Sequence, residues 1–341
     1  MKTFVIAEAG ANHNRDFEQA KALINVAKES GADAVKFQTY SSDTLYSSNT
    51  PDFANLTNIP ELIKSIELPR EWQKELKLYC DEIGIEFMST PFDELAVQQL
   101  VDIGVKRMKI AGFESTDLRF VDMVASAGLP LIVSLGIGSD FSIIPRIRDI
   151  ASKHGIDDVT FLHCNNAYPT PAEDVNLSTI KTLALDTRYR TGISDHTLST
   201  LTPALAVAAG ATVVEKHFTL SKRLSGPDHP FALEPHELKE MIEHIRYAEL
   251  CVGTKTQNLT KSEQKFKQGM RSVVAKRDLK PGDILTLDNI TTKRPYLKGD
   301  IPAINFFDIL GYKVDHTIKS DSQIKKINIS EYFEPRKIKK V

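Results

Sequence analysis

Two histidines, His196 and His217, each follow a short apolar run, at residues 190–195 and 212–216. The segment between them, 197–210, has the length of a helix, which predicts a strand–helix–strand unit. A right-handed crossover makes such strands parallel neighbours, so both imidazoles would lie on one rim of the sheet. A single histidine is more often a packed or surface residue. Their matched placement indicates a divalent-metal site, completed by a carboxylate or by water.

Polar side chains also occur within or just after the other apolar runs. A lysine inside an apolar strand is commonly half of a buried ion pair, so Lys36 with Glu8, or Lys109 with Glu114, could be purely structural. Polar groups at every strand end favour a binding site instead. The lysines then predict an anionic substrate, because an ammonium group is a point-charge partner for phosphate or carboxylate. The candidates at this rim are Glu8, Lys36, Gln38, Lys109, Glu114, Ser134, Asn166, Tyr168 and Asp228.

The elements that must position these side chains follow from the apolar pattern. Eight short apolar runs, separated by segments with helical periodicity, predict eight strands that are mostly buried on both faces. This alternation within about 250 residues is typical of a (β/α)8 TIM barrel, whose open rim lies at the carboxyl ends of the strands. An open doubly wound sheet is the alternative, but Gly10-Ala11-Asn12 lacks its glycine spacing. The predicted strands are 3–9, 34–39, 86–91, 107–111, 131–135, 159–164, 190–195 and 212–216.

The remainder of the chain predicts a second, smaller domain. Residues 1–252 would form the barrel, with 41–68 as a long polar loop over its rim. Residues 253–269 are polar and poor in core material, as expected for a linker. Residues 270–341 combine short β-like runs with a Pro281-Gly282-Asp283 turn, which predicts a small β-rich domain.

The composition is that of an ordinary globular protein: 341 residues, 41% hydrophobic and 26% charged, with a net charge of −2. No apolar run approaches a membrane span, and the N-terminus lacks the pattern of a signal peptide. The three cysteines are odd in number and form no metal-type pair, which favours free thiols in the cytoplasm. The basic cluster 336–340 is interpreted as a solvated chain end rather than a nucleic-acid contact.

Several runs resemble those of a known family, in the family's order: EAGANHN, VKFQT, STPF, KIAGFE, HCNNAYPTP, GISDHT, EKHF and GPDH, then RSVVAKRDLKPGDIL and ILGYKV. The chain resembles the bacterial nonulosonic acid synthases, the N-acetylneuraminate (sialic acid) synthase family, with their C-terminal antifreeze-like (SAF) domain. This implies an enzyme that condenses phosphoenolpyruvate with the open-chain aldehyde of an N-acetylated amino sugar and releases phosphate. It also implies a divalent metal, manganese first, with magnesium or cobalt as alternatives.

The resemblance further implies roles for individual residues. His196 and His217 match the metal ligands, while Glu8 and Glu114 match carboxylates for proton handling and sugar contacts. Arg294 matches an arginine of the small domain that reaches into the partner's barrel, which implies a domain-swapped homodimer. The contacts to phosphoenolpyruvate match Lys36, Lys109 and Ser134, and the residues near the sugar match Gln38, Asn166, Tyr168 and Asp228.

The chain departs from the family pattern at three places. Gly112 stands where many members have serine, Arg15 replaces a common glycine after His13, and the loop after Arg294, at 296–299, is one residue longer. KIAGFE followed by PFAL leans toward pseudaminate-type members, whereas VKFQT also suits neuraminate and legionaminate enzymes, so the product stays open. Two other functions are retained: a metal-dependent aldolase on the same barrel, which would release no phosphate, and a non-catalytic sugar- or ice-binding protein.

Overall fold

The computed structural model of the protein describes residues 2–47, 49–52, 56–186, 189–253 and 258–331. It divides the chain into two compact units, Met1–Gly253 and Thr254–Val341. Cys80, Cys164 and Cys251 are all free thiols. Across the described ranges, no helix combines the length and the apolar character needed to cross a membrane.

The first unit is a sheet of eight parallel strands. Hydrogen bonds order them β3-β2-β1-β8-β7-β6-β5-β4, and the two ends of this order lie against each other. The sheet therefore closes almost completely, and the predicted TIM barrel is confirmed. The strands are β1 (Phe4–Gly10), β2 (Ala34–Thr39), β3 (Glu86–Pro91), β4 (Met108–Ile110), β5 (Leu131–Leu135), β6 (Val159–Cys164), β7 (Arg190–Asp195) and β8 (Val213–His217).

Helices follow the strands and pack on the outer face of the sheet. Aspartates begin several of them: the Asp16 carboxylate accepts the Gln19 amide hydrogen at 3.0 Å, and Asp93 accepts that of Ala96 at 2.7 Å. Their apolar stripes share one core with the outward side chains of the strands. The helices are α1 (Phe17–Ser30), α2 (Ser42–Leu45), α3 (Ile59–Ile66), α4 (Gln73–Ile83), α5 (Glu94–Asp102), α6 (Leu118–Ala125), α7 (Ile143–Lys153), α8 (Ser178–Asp186), α9 (Thr202–Ala209) and α10 (Pro235–Val252).

The segment 41–68, predicted to be a loop, contains the two helices α2 and α3, so that prediction was wrong in part. Pro60 occupies the first turn of α3, where the missing amide hydrogen costs nothing and a helix can begin. Ile66 packs with Tyr40 in a small cluster of its own. The few apolar residues of a polar segment thus suffice to fold it against the rim.

The second unit is small and built from short strands, as the composition of 270–341 predicts. Its core contains Val273, Leu285 and Ile324. Helical segments in the described range 258–331 are short 3₁₀ turns, one of which, Gln264–Gly269, lies in the segment predicted to be a linker. The basic cluster 336–340 lies outside the described residues. The strands are β9 (Ser272–Ala275), β10 (Ile290–Lys293), β11 (Lys313–Val314) and β12 (Ile329–Ser330).

Candidate active site

The interior of the barrel changes from apolar to polar near the carboxyl ends of its strands. One interior layer is apolar and consists of Ile6, Ala34, Met88, Ile132, Leu162 and Val213. Side chains two residues further along a strand lie on the same face. This step leads to a second layer, in which all the side chains are buried: Glu8, Lys36, Thr90, Ser134, Cys164 and Glu215. Five of these six side chains are polar. This second layer lies directly beneath the rim and is called the floor of the site.

Four charged side chains dominate this floor. Lys36 Nζ lies 2.7 Å from Glu8 Oε2 and 3.6 Å from Glu215 Oε1. Lys109 Nζ lies 3.6 Å from the same Glu215 oxygen. Thr90 Oγ1 accepts a hydrogen bond from Lys36 at 2.9 Å. Two ammonium groups therefore face one space from two sides, which suits a small, multiply charged anion.

The ion pairs only partly match the sequence prediction. Lys36 does pair with Glu8, as expected. The alternative pair of Lys109 with Glu114 is wrong, because the carboxylate nearest to Lys109 is that of Glu215. Glu215 and Thr90 were missing from the predicted site. The two-residue period of the strands could have found both, since Glu215 lies two residues before His217 on β8 and Thr90 is in register with Gln38 on β2.

Burial shifts the pKa values of these charged groups. It raises the pKa of Glu8 to about 7 and that of Glu114 to about 6. For Glu215, burial is outweighed by Lys109 and Lys36, so its pKa is lowered. For Lys36, burial is likewise outweighed by the Glu215 and Glu8 carboxylates, and its pKa is raised. Glu8 is thus poised to exchange a proton near neutral pH, whereas Glu215 stays ionised.

Several buried polar atoms at the floor and at the rim have no hydrogen-bond partner among the described residues: Glu114 Oε2, Ser134 Oγ, Glu215 Oε2 and His217 Nδ1. Buried polar groups are nearly always hydrogen-bonded in folded proteins. Their convergence near two lysines indicates that a polar ligand supplies the missing bonds.

The two histidines meet at the rim, as predicted. Their ring centroids are 5.5 Å apart, and His196 Nδ1 lies 2.6 Å from the Asn165 carbonyl oxygen. With a hydrogen on Nδ1 to donate to that carbonyl, Nε2 of His196 is the free nitrogen. Burial lowers the pKa of His196 to about 4 and that of His217 well below its usual value. Both rings are therefore neutral at physiological pH, as metal ligands must be.

These residues fit a divalent metal that also takes oxygen ligands from substrate or water. Across the described ranges, no group of three or more His, Cys, Asp or Glu side chains is arranged to hold a metal by itself. The protein would supply two neutral imidazoles as metal ligands. Nδ1 of His217 is buried without a hydrogen-bond partner among the described residues and is therefore available to bind the ion. An ion held by two protein ligands keeps open positions for a reacting oxygen.

The predicted sugar-side residues surround the histidines. Asp228 Oδ2 accepts the Ala11 amide hydrogen at 3.2 Å and lies 3.9 Å from His217 Nδ1. Gly10 permits this approach, because a Cβ there would lie 2.7 Å from the Asp228 carboxylate. Tyr168 stacks near His196 with centroids 4.1 Å apart and is 44% exposed. These contacts place Asp228 beside His217 and Tyr168 beside His196.

Two further predicted residues serve as supports in this structure. Gln38 donates to Glu8 Oε1 at 2.9 Å and so orients the carboxylate. Asn166 Oδ1 accepts the Ile137 amide hydrogen at 2.8 Å.

Arg294 belongs to the second unit. It lines, with Arg271, Thr292 and Lys293, an open groove of about 400 Å³. Three of these four lining residues are cations, so the groove favours anionic or strongly polar groups.

The barrel, with its polar layer at the carboxyl end, defines the chain first as an α/β-barrel enzyme. Residues 23–257 match the NeuB family, and residues 270–329 match the SAF domain. The chain belongs to the NeuB family and is a synthase of that family.

Similar proteins agree over most of the chain. N,N'-diacetyllegionaminic acid synthase of Legionella pneumophila is 40% identical over 307 residues, which cover 86% of this chain and 86% of the relative. Pseudaminic acid synthase of Campylobacter jejuni is 35% identical over 331 residues, or 95% and 96% of the two chains. The structure of N-acetylneuraminic acid synthetase from Leptospira borgpetersenii superposes with a TM-score of 0.73 at 32% identity, covering 78% of this chain and 90% of that one.

Proposed function

We propose that this enzyme condenses phosphoenolpyruvate with the open-chain form of an N-acetylated amino sugar, giving a nonulosonic acid and inorganic phosphate. The observation that carries the proposal is the buried layer in which two lysines share Glu215 next to unpartnered polar atoms and two neutral imidazoles. Relatives named legionaminic and pseudaminic acid synthases support the product class.

Lys36 and Lys109 would hold the phosphate and carboxylate of phosphoenolpyruvate, with the Ser134 hydroxyl donating a further hydrogen bond. Both ammonium groups are almost fully buried, so their attraction for an anion is screened little by water. Glu215 keeps the two lysines facing each other before the substrate binds.

His196 and His217 would hold the divalent metal, with manganese preferred and magnesium or cobalt as alternatives. When bound, such an ion polarises a carbonyl oxygen and makes its carbon easier to attack. Tyr168 and Asp228 lie beside these histidines and would orient the sugar aldehyde. Gln38 and Asn166 complete the sugar side.

The bond changes then balance. Carbon three of phosphoenolpyruvate attacks the aldehyde carbon, and the aldehyde oxygen takes up a proton, for which Glu114 is the donor in this proposal. Carbon two becomes cationic and adds a water molecule, whose proton passes to Glu8. The tetrahedral carbon then expels phosphate with the bridging oxygen, the proton of its hydroxyl passes to the departing phosphate, and the carbon becomes a ketone. Raised pKa values suit both carboxyl groups to proton transfer near neutral pH.

The proposal includes a homodimer in which Arg294 of one chain acts at the barrel of the other. Its support is the basic groove around Arg294 and the family to which the chain belongs. A cation there would hold polar groups of the sugar, while the barrel floor holds phosphoenolpyruvate.

An acceptor panel tests the proposal. N-acetylmannosamine and diacetamido-trideoxyhexoses are each incubated with phosphoenolpyruvate and Mn²⁺, and phosphate release and the mass of the product are measured. We expect one acceptor class to give equal amounts of phosphate and sugar acid. Condensation of the same acceptors with pyruvate, without phosphate release, would identify an aldolase instead. Absence of turnover with the whole panel would contradict the proposed reaction.

A further inference from the structure

Lys216 carries a buried ammonium group directly behind the two histidines. It stands between Glu215 and His217 in β8, so its side chain points to the opposite, outer face of the sheet. Lys216 is 1% exposed, and its Nζ lies 2.6 Å from Asp195 Oδ2. Asp195 ends β7 and directly precedes His196. An ion pair therefore joins the two residues that immediately precede the two histidines.

The same ammonium group also binds the residue that follows His196. It donates to the Thr197 carbonyl oxygen and, at 3.2 Å, to Thr197 Oγ1. The Thr197 amide in turn donates to Asp195 Oδ1 at 3.0 Å. His196 is thus bracketed by two residues bound to Lys216, while His217 is covalently attached to Lys216. The backbone segments that carry the imidazoles cannot shift against each other without breaking these bonds.

Such a pair is not explained by stability alone. Desolvating two charges is costly, and replacing a buried ion pair with apolar residues is often neutral or stabilising. The best attested use of buried charged groups is to fix one arrangement among several. Asp195 and Lys216 are register partners across β7 and β8, and neither points into the barrel floor where a substrate would bind.

We infer that Asp195 and Lys216 are positioning residues, which set the spacing of His196 and His217 for a divalent metal. The inference rests on the proposed function, because that function requires the metal. Neither side chain needs to touch the ion. Outer-shell partners of this kind typically change metal affinity by about 10- to 100-fold when they are replaced.

Mn²⁺ binding to the full chain, followed by electron paramagnetic resonance of the free ion, tests this without turnover. The double variant Asp195→Leu/Lys216→Met removes both charges together and leaves no unpaired charge in the core. We expect it to unfold at a temperature close to that of the parent, but to bind Mn²⁺ with a dissociation constant about 10- to 100-fold higher.

A matched control removes a different ion pair between neighbouring strands. Arg107 Nε lies 2.7 Å from Glu86 Oε1, at the amino ends of β3 and β4 and thus opposite the rim. The double variant Glu86→Gln/Arg107→Met should bind Mn²⁺ as the parent does. A loss of affinity equal to that of the first double variant would overturn the positioning role.

Unchanged Mn²⁺ affinity in the folded Asp195→Leu/Lys216→Met protein would also overturn it. Should that protein fail to fold, Asp195→Asn/Lys216→Met takes its place, because it also removes every bond of the Lys216 ammonium group while the asparagine oxygen can still accept from the Thr197 amide. An unaltered dissociation constant in this second double variant has the same meaning. Failure of the proposed metal site itself gives a different result: the parent and His217→Ala would then bind Mn²⁺ equally weakly.

Discussion

At the scale of single residues, the charged side chains on the barrel floor decide what the site can bind. Lys36 and Lys109 share the Glu215 carboxylate, while Lys36 also pairs with Glu8. When Glu8 is protonated, the floor carries two cations and one anion. A positive surplus in a buried site favours an anionic substrate, because unpaired buried charge is costly without a counter-ion.

Replacing either lysine should therefore weaken the binding of phosphoenolpyruvate selectively. In Lys36→Met and Lys109→Met we expect KM for phosphoenolpyruvate to rise about 10- to 100-fold, since a hydrogen bond to a charged group contributes about 1.5–3 kcal/mol. KM for the sugar should change much less. Steady-state kinetics with each substrate varied in turn measure both constants.

Lys77→Met is the control for these variants. Lys77 pairs with Asp81 on the outer helix α4, away from the barrel floor, and should leave both constants unchanged. Equal increases of KM for both substrates in the Lys36 and Lys109 variants would mean that the lysines only maintain the fold.

Glu8 should give the reaction its pH dependence near neutrality. Because burial raises the pKa of Glu8 to about 7, its basic form accumulates as the pH rises through that value, and kcat at saturating phosphoenolpyruvate should rise with it. Glu8→Gln should lose this limb and lower kcat by about 10²- to 10⁴-fold.

Protonation of His196 and His217 does not explain a rise in activity near neutral pH. An ordinary histidine pKa would place the loss of metal ligation near pH 6.5. Burial lowers the pKa of His196 to about 4, so protonation of this ligand belongs to more acidic solutions. A pH profile of Glu8→Gln with an intact limb near neutrality would exclude Glu8 as the proton acceptor.

At the scale of elements, the loops after β4, β5 and β6 meet at Gly112, Gly136 and Asn166. A Cβ on Gly136 would lie 2.1 Å from Asn166 Oδ1 and 2.8 Å from the Gly112 Cα. Gly136→Ala should therefore displace the Asn166 side chain and cost about 1–3 kcal/mol of unfolding free energy through overpacking. Denaturant unfolding measures the loss.

Gly269→Ala is the comparison for that experiment, because its Cβ would meet nothing within 4 Å. It should change the unfolding free energy by less than about 0.5 kcal/mol. Equal unfolding free energies of the two alanine variants would show that the loops after β4, β5 and β6 accommodate the added methyl group at no cost in stability.

The barrel strands could be predicted from sequence because they are buried on both faces. β2, β3, β5, β6 and β7 begin and end at the predicted residues. The apolar run of β2 is interrupted at Lys36 and Gln38, which both contact Glu8 in the interior. The local composition therefore predicts the barrel and many of the residues of its site.

Other features depend on contacts that composition does not encode. Helix α3 forms because a few apolar residues of a polar segment find Tyr40, which is distant in sequence. Lys109 forms its ion pair with Glu215 and not with Glu114, because the closed barrel places β4 and β8 opposite each other across its interior. Such choices follow from three-dimensional proximity and not from spacing along the chain.

At the scale of the whole molecule, the proposed dimer predicts complementation between two inactive variants. His217→Ala lacks a metal ligand, and Arg294→Ala lacks the arginine of the second unit. In a mixed dimer with Arg294 acting in trans, one site carries both lesions and the other carries none, so activity should return. Chains are mixed under conditions of subunit exchange, and the activity of the mixture is assayed.

If Arg294 acted on its own barrel, every site of the mixed dimer would keep one lesion. Confirmed subunit exchange without recovered activity, given two inactive parents, would rule out the trans arrangement. Mixing each variant with itself is the control and should give no activity.

Phosphoenolpyruvate labelled with ¹⁸O in the bridging position tests the central claim most directly. Since water adds to carbon two and phosphate leaves with the bridging oxygen, all of the label should appear in inorganic phosphate, with one phosphate for each sugar acid formed. Mass spectrometry of both products with the accepted amino sugar gives the answer. Label retained in the sugar acid, or sugar acid formed without an equal amount of phosphate, would contradict the proposed condensation.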